Sequence, residues 1–243
     1  MIACDCAVCR SSDPRNTRLR PSIMVTTDSG ANIIVDTPPE MRIALLKNDV
    51  RRLDAILFTH SHADHVFGMD DIRSFNYRQN APMPVYAEAN VLEDLKRIYE
   101  YIFVNTQRGG GKPQVQLSEI EPLHSLELGG VTVMPLRVYH GTLPIVAYKF
   151  GEKFAYVTDV NRIPEETWPY LEGLDVLMLD AVRREAHDTH FNLDEALAVI
   201  EKLKPKLALL THLSHDYDYE ETNRELPSNV RLAYDNMVFE VSD

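Results

Sequence analysis

Short apolar runs punctuate the chain, and most are too brief for helices. Ala55–Thr59, Phe154–Thr158, Asp175–Leu179 and Lys206–Leu210 read as buried strands. Ser22–Thr27 and Ala31–Val35 flank Asp28-Ser29-Gly30 and predict a β-hairpin. Further strands are predicted at Pro84–Ala87, Val131–Val138, Ile145–Phe150 and Val238–Val241. Helical spacing appears elsewhere. Pro38-Pro39 opens a short helix to Lys47, and another is predicted near Asp70–Tyr77. Ala89–Phe103 carries Val91, Leu92, Leu95, Ile98, Tyr99 and Ile102 on one face and predicts the longest helix. Leu193–Lys204 is amphipathic and ends at the Lys204-Pro205 step. The glycines of Arg108–Pro113 predict a loop with little fixed structure. Strands arrive both as hairpins and as β-α-β units, which predicts an α/β fold of mixed sheets with helices on the outer faces.

Composition narrows this picture. The 243 residues are 44% apolar and 26% charged, with 10 Gly and 14 Pro, which excludes collagen-like and low-complexity chains. One domain, 1–243, is expected, with a cysteine-containing segment at 1–20. No apolar run approaches the ~20 residues that cross a bilayer. No basic-then-apolar segment opens the sequence. All three cysteines fall in the first nine residues, which suits a reducing compartment. A cytoplasmic protein without a membrane partner is therefore expected. A net charge of −12 argues against a broad face for long nucleic acid, though a small anion remains acceptable.

The informative segment is Thr59-His60-Ser61-His62-Ala63-Asp64-His65, directly after an apolar strand. On extended backbone His60 and His62 point to one side, and a following turn would aim Asp64 and His65 toward a second point. Three imidazoles and a carboxylate in six residues suit metal better than a core or a solvated face. Other apolar strands also end in such groups: His140 after Val131–Val138, Asp159 after Phe154–Val157, and His212 after Leu207–Leu210. Together they supply what a two-metal site requires, histidines for each ion and a carboxylate to bridge.

This HxHxDH segment, with His140, Asp159 and His212 in order, resembles the metallo-β-lactamase superfamily. The resemblance implies an αββα sandwich of two mixed sheets. It implies His60, His62 and His140 on one ion, Asp64, His65 and His212 on the other, and Asp159 between them. Cys4-Asp5-Cys6 and Cys9 are too close for comfortable disulfides but suit tetrahedral zinc, with His215 as the fourth ligand. That cluster resembles the phosphoribosyl 1,2-cyclic phosphate phosphodiesterase family, which carries a structural zinc beside the dinuclear site. The family has a Gly-Thr-Gly-containing strand ahead of its cysteines. Here Cys4 follows only three residues, which leaves the edge of one sheet open.

In such phosphodiesterases a histidine ahead of a helix protonates the leaving oxygen. His190, six residues before Ala196, matches that spacing and His187 does not. The expected activity is hydrolysis of a small, cyclic ribose-type phosphodiester by a hydroxide shared between two divalent ions (zinc, manganese or iron). His190 would be the general acid, and Asp64 would serve as both ligand and catalytic residue. Asp36 and Asp180 also end strands and read as carboxylates that orient imidazoles. Arg10, Arg15, Arg18 and Arg20 read as solvated loop first and as phosphate contacts second, and Arg73, Arg108 and Lys112 are similar candidates for a substrate phosphate. His124 reads as an ordinary surface residue. A homodimer stays open. The rival readings are a transfer-RNA 3′-processing nuclease, a glyoxalase II-type thioester hydrolase, and a non-catalytic zinc scaffold.

Overall fold

The computed structural model describes residues 1–104 and 111–242. The chain divides into two compact units, one formed by Arg20–Val133 and the other by Met1–Leu19 with Met134–Asp243.

In the first unit, β1 (Ile23–Thr26) and β2 (Asn32–Val35) form the expected antiparallel hairpin. Then follow α1 (Met41–Lys47), β3 (Ala55–Leu57), α2 (Ala63–Val66), α3 (Arg73–Gln79) and β4 (Met83–Ala87). α4 (Ala89–Ile98), α5 (Glu100–Phe103), β5 (Val115–Glu119) and β6 (Leu126–Leu128) complete the series. The sheet runs β1-β2-β3-β4-β5, with every pairing after the hairpin parallel. All three residues of β3 are buried, and Ile56, Val66, Met69, Ile72, Val85 and Leu95 pack in one core. Burial of this kind is the main favourable term holding the unit together.

β7 (Val131–His140) starts in this unit, where its first residues pair antiparallel with β6, and finishes in the other. The second unit adds β8 (Leu143–Phe150), β9 (Phe154–Val157), β10 (Val176–Asp180), α6 (Leu193–Leu203), β11 (Leu207–Thr211), α7 (Tyr219–Glu225) and β12 (Val230–Leu232). Its strands lie in the order β12-β11-β10-β9-β8-β7. β8 and β9 are antiparallel, whereas β9, β10, β11 and β12 pair in parallel. Both sheets are thus mixed and accompanied by helices, as expected for the α/β class. α6 begins with a reciprocal capping box between Asn192 and Glu195. No helix among the described residues is long and apolar enough to cross a membrane.

Three expectations need correction. The apolar face of 89–103 does not form one helix, because Tyr99 leaves helical geometry and its hydroxyl donates to the Val66 carbonyl at 2.7 Å. α6, not 89–103, is therefore the longest helix. Val238–Val241 is not a strand. β12 pairs with β11 instead, Val238 is exposed, and Phe239 packs edge-on against Phe154. β5, β6, α7 and β12 were not foreseen. Arg108, Gly109 and Gly110 lie outside the described residues.

Candidate metal centre and acid site

In the 20–133 unit, β3 delivers Phe58, Thr59 and His60 into a buried position, and His62 is the extended residue that starts α2. Asp64 and His65 therefore sit on the first turn of a helix. The ring of His60 lies 4.4 Å from that of His62 and 4.2 Å from that of His65.

Beneath them lies Asp36, fully buried, with a left-handed backbone at φ 62°. For a residue other than glycine that conformation costs on the order of 1–3 kcal/mol, and aspartate and asparagine tolerate it better than most. It aims the carboxylate at the motif. Oδ1 accepts the Thr59 N–H at 2.9 Å, and Oδ2 accepts the Thr59 hydroxyl at 2.9 Å and His65 Nδ1 at 2.8 Å. Burial pushes the Asp36 carboxyl up, and the His65 and Thr59 bonds oppose that.

The hydroxyl of Thr59 has one hydrogen, and the carboxylate takes it. At 2.9 Å from His60 Nδ1, that oxygen must accept, so His60 carries its hydrogen on Nδ1. His60 and His65 both present Nε2 as a lone-pair donor. Ser61 Oγ donates to Asp94 Oδ2 at 2.5 Å, tying the motif to α4 and lowering the Asp94 pKa.

The other unit repeats the design. His140 closes β7, and its Nδ1 donates to the Thr189 carbonyl at 2.8 Å. Asp180 closes β10, fully buried, and its Oδ2 accepts from His190 Nδ1 at 2.7 Å and from the Val160 N–H at 2.9 Å. Burial pushes Asp180 up while the His190 bond opposes it. Asp159 and His212 follow β9 and β11 with left-handed φ values of 49° and 56°. His212 Nε2 lies 3.4 Å from Asp159 Oδ1. The His190 ring stacks on that of His212 at 4.8 Å and meets that of His140 edge-on at 4.5 Å. Ligand-type atoms of His140, Asp159 and His190 all lie within 4.8 Å of one another.

Cys4, Cys6, Cys9 and His215 come together in the same unit, their ligand atoms within 4.8 Å of one another. The Cys4 and Cys6 sulfurs are each 3.4 Å from His215 Nδ1. That matches the roughly 3.5 Å edge of a tetrahedron built on Zn–S ≈ 2.3 Å and Zn–N ≈ 2.0–2.1 Å. The Cys9 N–H and then His215 hold the Cys6 thiol down at about 6, favouring the thiolate that binds metal. Arg18 donates to the carbonyls of Ser214 and Tyr217, both at 2.6 Å, fixing the loop that carries His215. The donor chemistry of both clusters thus suits metal: thiolates with imidazole in one, inward Nδ1–H bonds with outward Nε2 in the other.

Most of the basic candidates are spoken for. Arg10 pairs with Asp5, Arg15 with Asp13 and Glu220, Arg20 with Glu40, and Arg73 with Asp70. Lys112 Nζ donates to the Tyr101 and Val104 carbonyls, and Arg108 is outside the described residues. His124 is exposed. Sequence reasoning missed Thr59, whose role depends on a single hydrogen. It also set His187 aside, yet that ring stands 4.9 Å from His190.

Residues 27–213 match the family described as the Beta-lactamase superfamily domain. The chain is 42% identical to a crystal structure described as a new diphosphatase from the PhnP family, covering 97% of this chain and 89% of that one, with a TM-score of 0.90. It is 35% identical over 238 residues to an octanoyltransferase of Porphyromonas gingivalis, covering 97% of this chain but only 48% of the relative. The chain thus spans about half the length of that curated protein. Ribonuclease Z of Pyrobaculum islandicum is 22% identical, with 90% of this chain and 88% of the relative covered. Zn(2+)-bound PqqB from Methylobacterium extorquens shares the fold at TM-score 0.76 and 18% identity, covering 99% of this chain and 95% of that one. On these matches, and on the motif that opens α2, the chain belongs to the metallo-β-lactamase superfamily and, within it, to the PhnP family.

Proposed function

We propose that this chain is a two-metal phosphodiesterase acting on a small, cyclic ribose-type phosphodiester. His60, His62 and His140 would hold one divalent ion, Asp64, His65 and His212 the second, and Asp159 would bridge them. Cys4, Cys6, Cys9 and His215 would hold a structural zinc. Bound in this way, two divalent ions (zinc, manganese or iron) polarise phosphoryl oxygens and make water acidic enough to react near neutral pH. The seven-ligand set rests on the family motif and on the donor geometry found within each unit.

The observation that carries the reading is His190. Its Nδ1–H is spent on buried Asp180, so any second proton must sit on Nε2 of a ring that lies 4.5 Å from that of His140 and 4.8 Å from that of His212. A protonated His190 can give that proton to a departing alkoxide, with Asp180 holding the ring in place through Nδ1. Its PhnP-family neighbour, described as a diphosphatase, supports phosphorus chemistry. The test is a hydrolysis panel on metal-loaded protein. It compares 5-phosphoribosyl 1,2-cyclic phosphate, 2′,3′-cyclic nucleotides, a bis-aryl phosphodiester, a phosphomonoester and a precursor transfer RNA. Preference for a cyclic diester is expected, and cleavage of the monoester alone would overturn the reading.

A second reading has one observation in its favour, a relative named octanoyltransferase, of which the chain spans about half. An octanoyl and a glutathione thioester therefore belong in the panel. A thiolate leaves without protonation, so thioester cleavage would not need His190. The Ribonuclease Z relatives bring a nuclease reading, against which the net charge of −12 stands.

A further inference from the structure

His187 is wired the opposite way from the other histidines around it. The Thr189 backbone N–H, which can only donate, points at His187 Nδ1 from 3.2 Å. Nδ1 must accept, so the imidazole carries its hydrogen on Nε2. His140 and His190 give their Nδ1 hydrogens to a carbonyl and a carboxylate, the reverse of the Nδ1 contact at His187. His187 offers an N–H.

The backbone around it is held on several sides. Asn161 Nδ2 donates to the Asp188 carbonyl at 2.7 Å, His140 to that of Thr189, and Phe191 N to that of Val160 at 2.6 Å. Arg183 donates to the Glu185 and Ala186 carbonyls, stiffening the approach to the ring. A Cβ on Gly141 would come within 2.9 Å of the Thr189 side chain, so the end of β7 also braces this loop. His187 is half-buried, and burial, then His190 and Arg183, lower its pKa, which favours the neutral form.

We infer that His187 binds substrate, its neutral Nε2–H donating to a phosphoryl oxygen beside the group that His190 protonates. This rests on the phosphodiesterase reading. A fixed neutral donor suits an anionic oxygen and is useless as a metal ligand through Nε2. It is made in ground state and transition state alike, so it acts on affinity rather than on the chemical step.

Two measurements test it. Ring ¹⁵N–¹H spectra at pH 7 should show His187 as the Nε2–H tautomer, and an Nδ1–H tautomer or an imidazolium would overturn the assignment. On metal-loaded protein, His187→Ala should raise KM for the cyclic diester and weaken inhibition by inorganic phosphate, each roughly 10–100-fold. Its kcat should change little and the pH profile should not move. His187→Gln, whose amide nitrogen falls near the place of Nε2, should recover most of the loss, and His187→Asn should not. Unchanged KM and phosphate affinity, or a loss confined to kcat, would contradict the inference. Should wild-type protein cleave no phosphodiester, phosphate binding and the ring spectra still decide the role of His187 independently.

Discussion

One hydrogen on Thr59 decides which nitrogen of His60 carries a hydrogen, and Asp36 decides where the Thr59 hydrogen points. Residues that touch no metal can therefore control metal binding. Asp36→Asn keeps the shape but turns an acceptor-only oxygen into a possible donor. Metal affinity should fall about 10–100-fold, as when such orienting partners are lost elsewhere. Competition titration against a chelator reads this directly, and unchanged affinity would break the link between Asp36 and the imidazoles. Asp159→Ala should lose both turnover and active-site metal while remaining folded by circular dichroism. Retention of both ions with full turnover would remove its bridging role.

At the scale of elements, the 1–19 segment holds no strand and is fastened by side chains. Asn16 Nδ2 donates to Asp218 Oδ2 at 2.8 Å and its Oδ1 accepts the Tyr219 N–H at 2.9 Å. Asp218 caps α7, accepting the Glu220 and Glu221 N–H groups. Those backbone bonds, Glu221 first, and Asn16 hold its carboxyl below the usual carboxylate range. A depressed folded-state pKa means stability that is present above the unfolded value and lost as pH falls through the folded one. Asp218→Ala should therefore cost about 1 kcal/mol near pH 7. The gap to wild type should close in acid below about pH 4, the unfolded carboxylate range, as chemical denaturation across pH would show. Cys6→Ser removes one sulfur from the proposed zinc cluster, whose His215 is carried by the same loop. It should lower the thermal midpoint and remove one zinc, because structural sites contribute folding free energy outright. Turnover of what stays folded should be nearly normal, and lost turnover with an unchanged melting curve would mean the cluster belongs to the chemistry.

Elements also show what the sequence could and could not reveal. Apolar runs ending in His or Asp made β3, β7, β9, β10 and β11 legible, because a buried strand and the group at its end are both local signals. Asp36 and Asp180 were legible as orienting carboxylates for that reason. The break at Tyr99 was not, since its apolar spacing continues the helical face and only a contact with distant Val66 ends the helix. Val115–Glu119 alternates but carries just Val115 and Leu117 as apolar anchors, too thin a signal for a strand. Val238–Val241 carries the Val and Phe of a strand yet is none among the described residues, because strand pairing is not a local property. The wiring of His187 was invisible for the same reason: it depends on where a backbone N–H points.

For the molecule as a whole, a net charge of −12 disfavours a broad face for long polyanions, so binding of a small anion would rest on a few side chains. In the proposed function those side chains serve phosphodiester hydrolysis with His190 as the acid. Its most direct test is leaving-group dependence. Wild type and His190→Ala are compared on a cyclic ribose phosphodiester, whose alkoxide needs a proton, and on a bis-aryl phosphodiester, whose phenolate does not. With His190 as the acid, the loss should be roughly 10²–10⁴-fold on the cyclic substrate and much smaller on the aryl ester, with metal content unchanged. An equal loss on both substrates, or none on the cyclic one, would contradict that role.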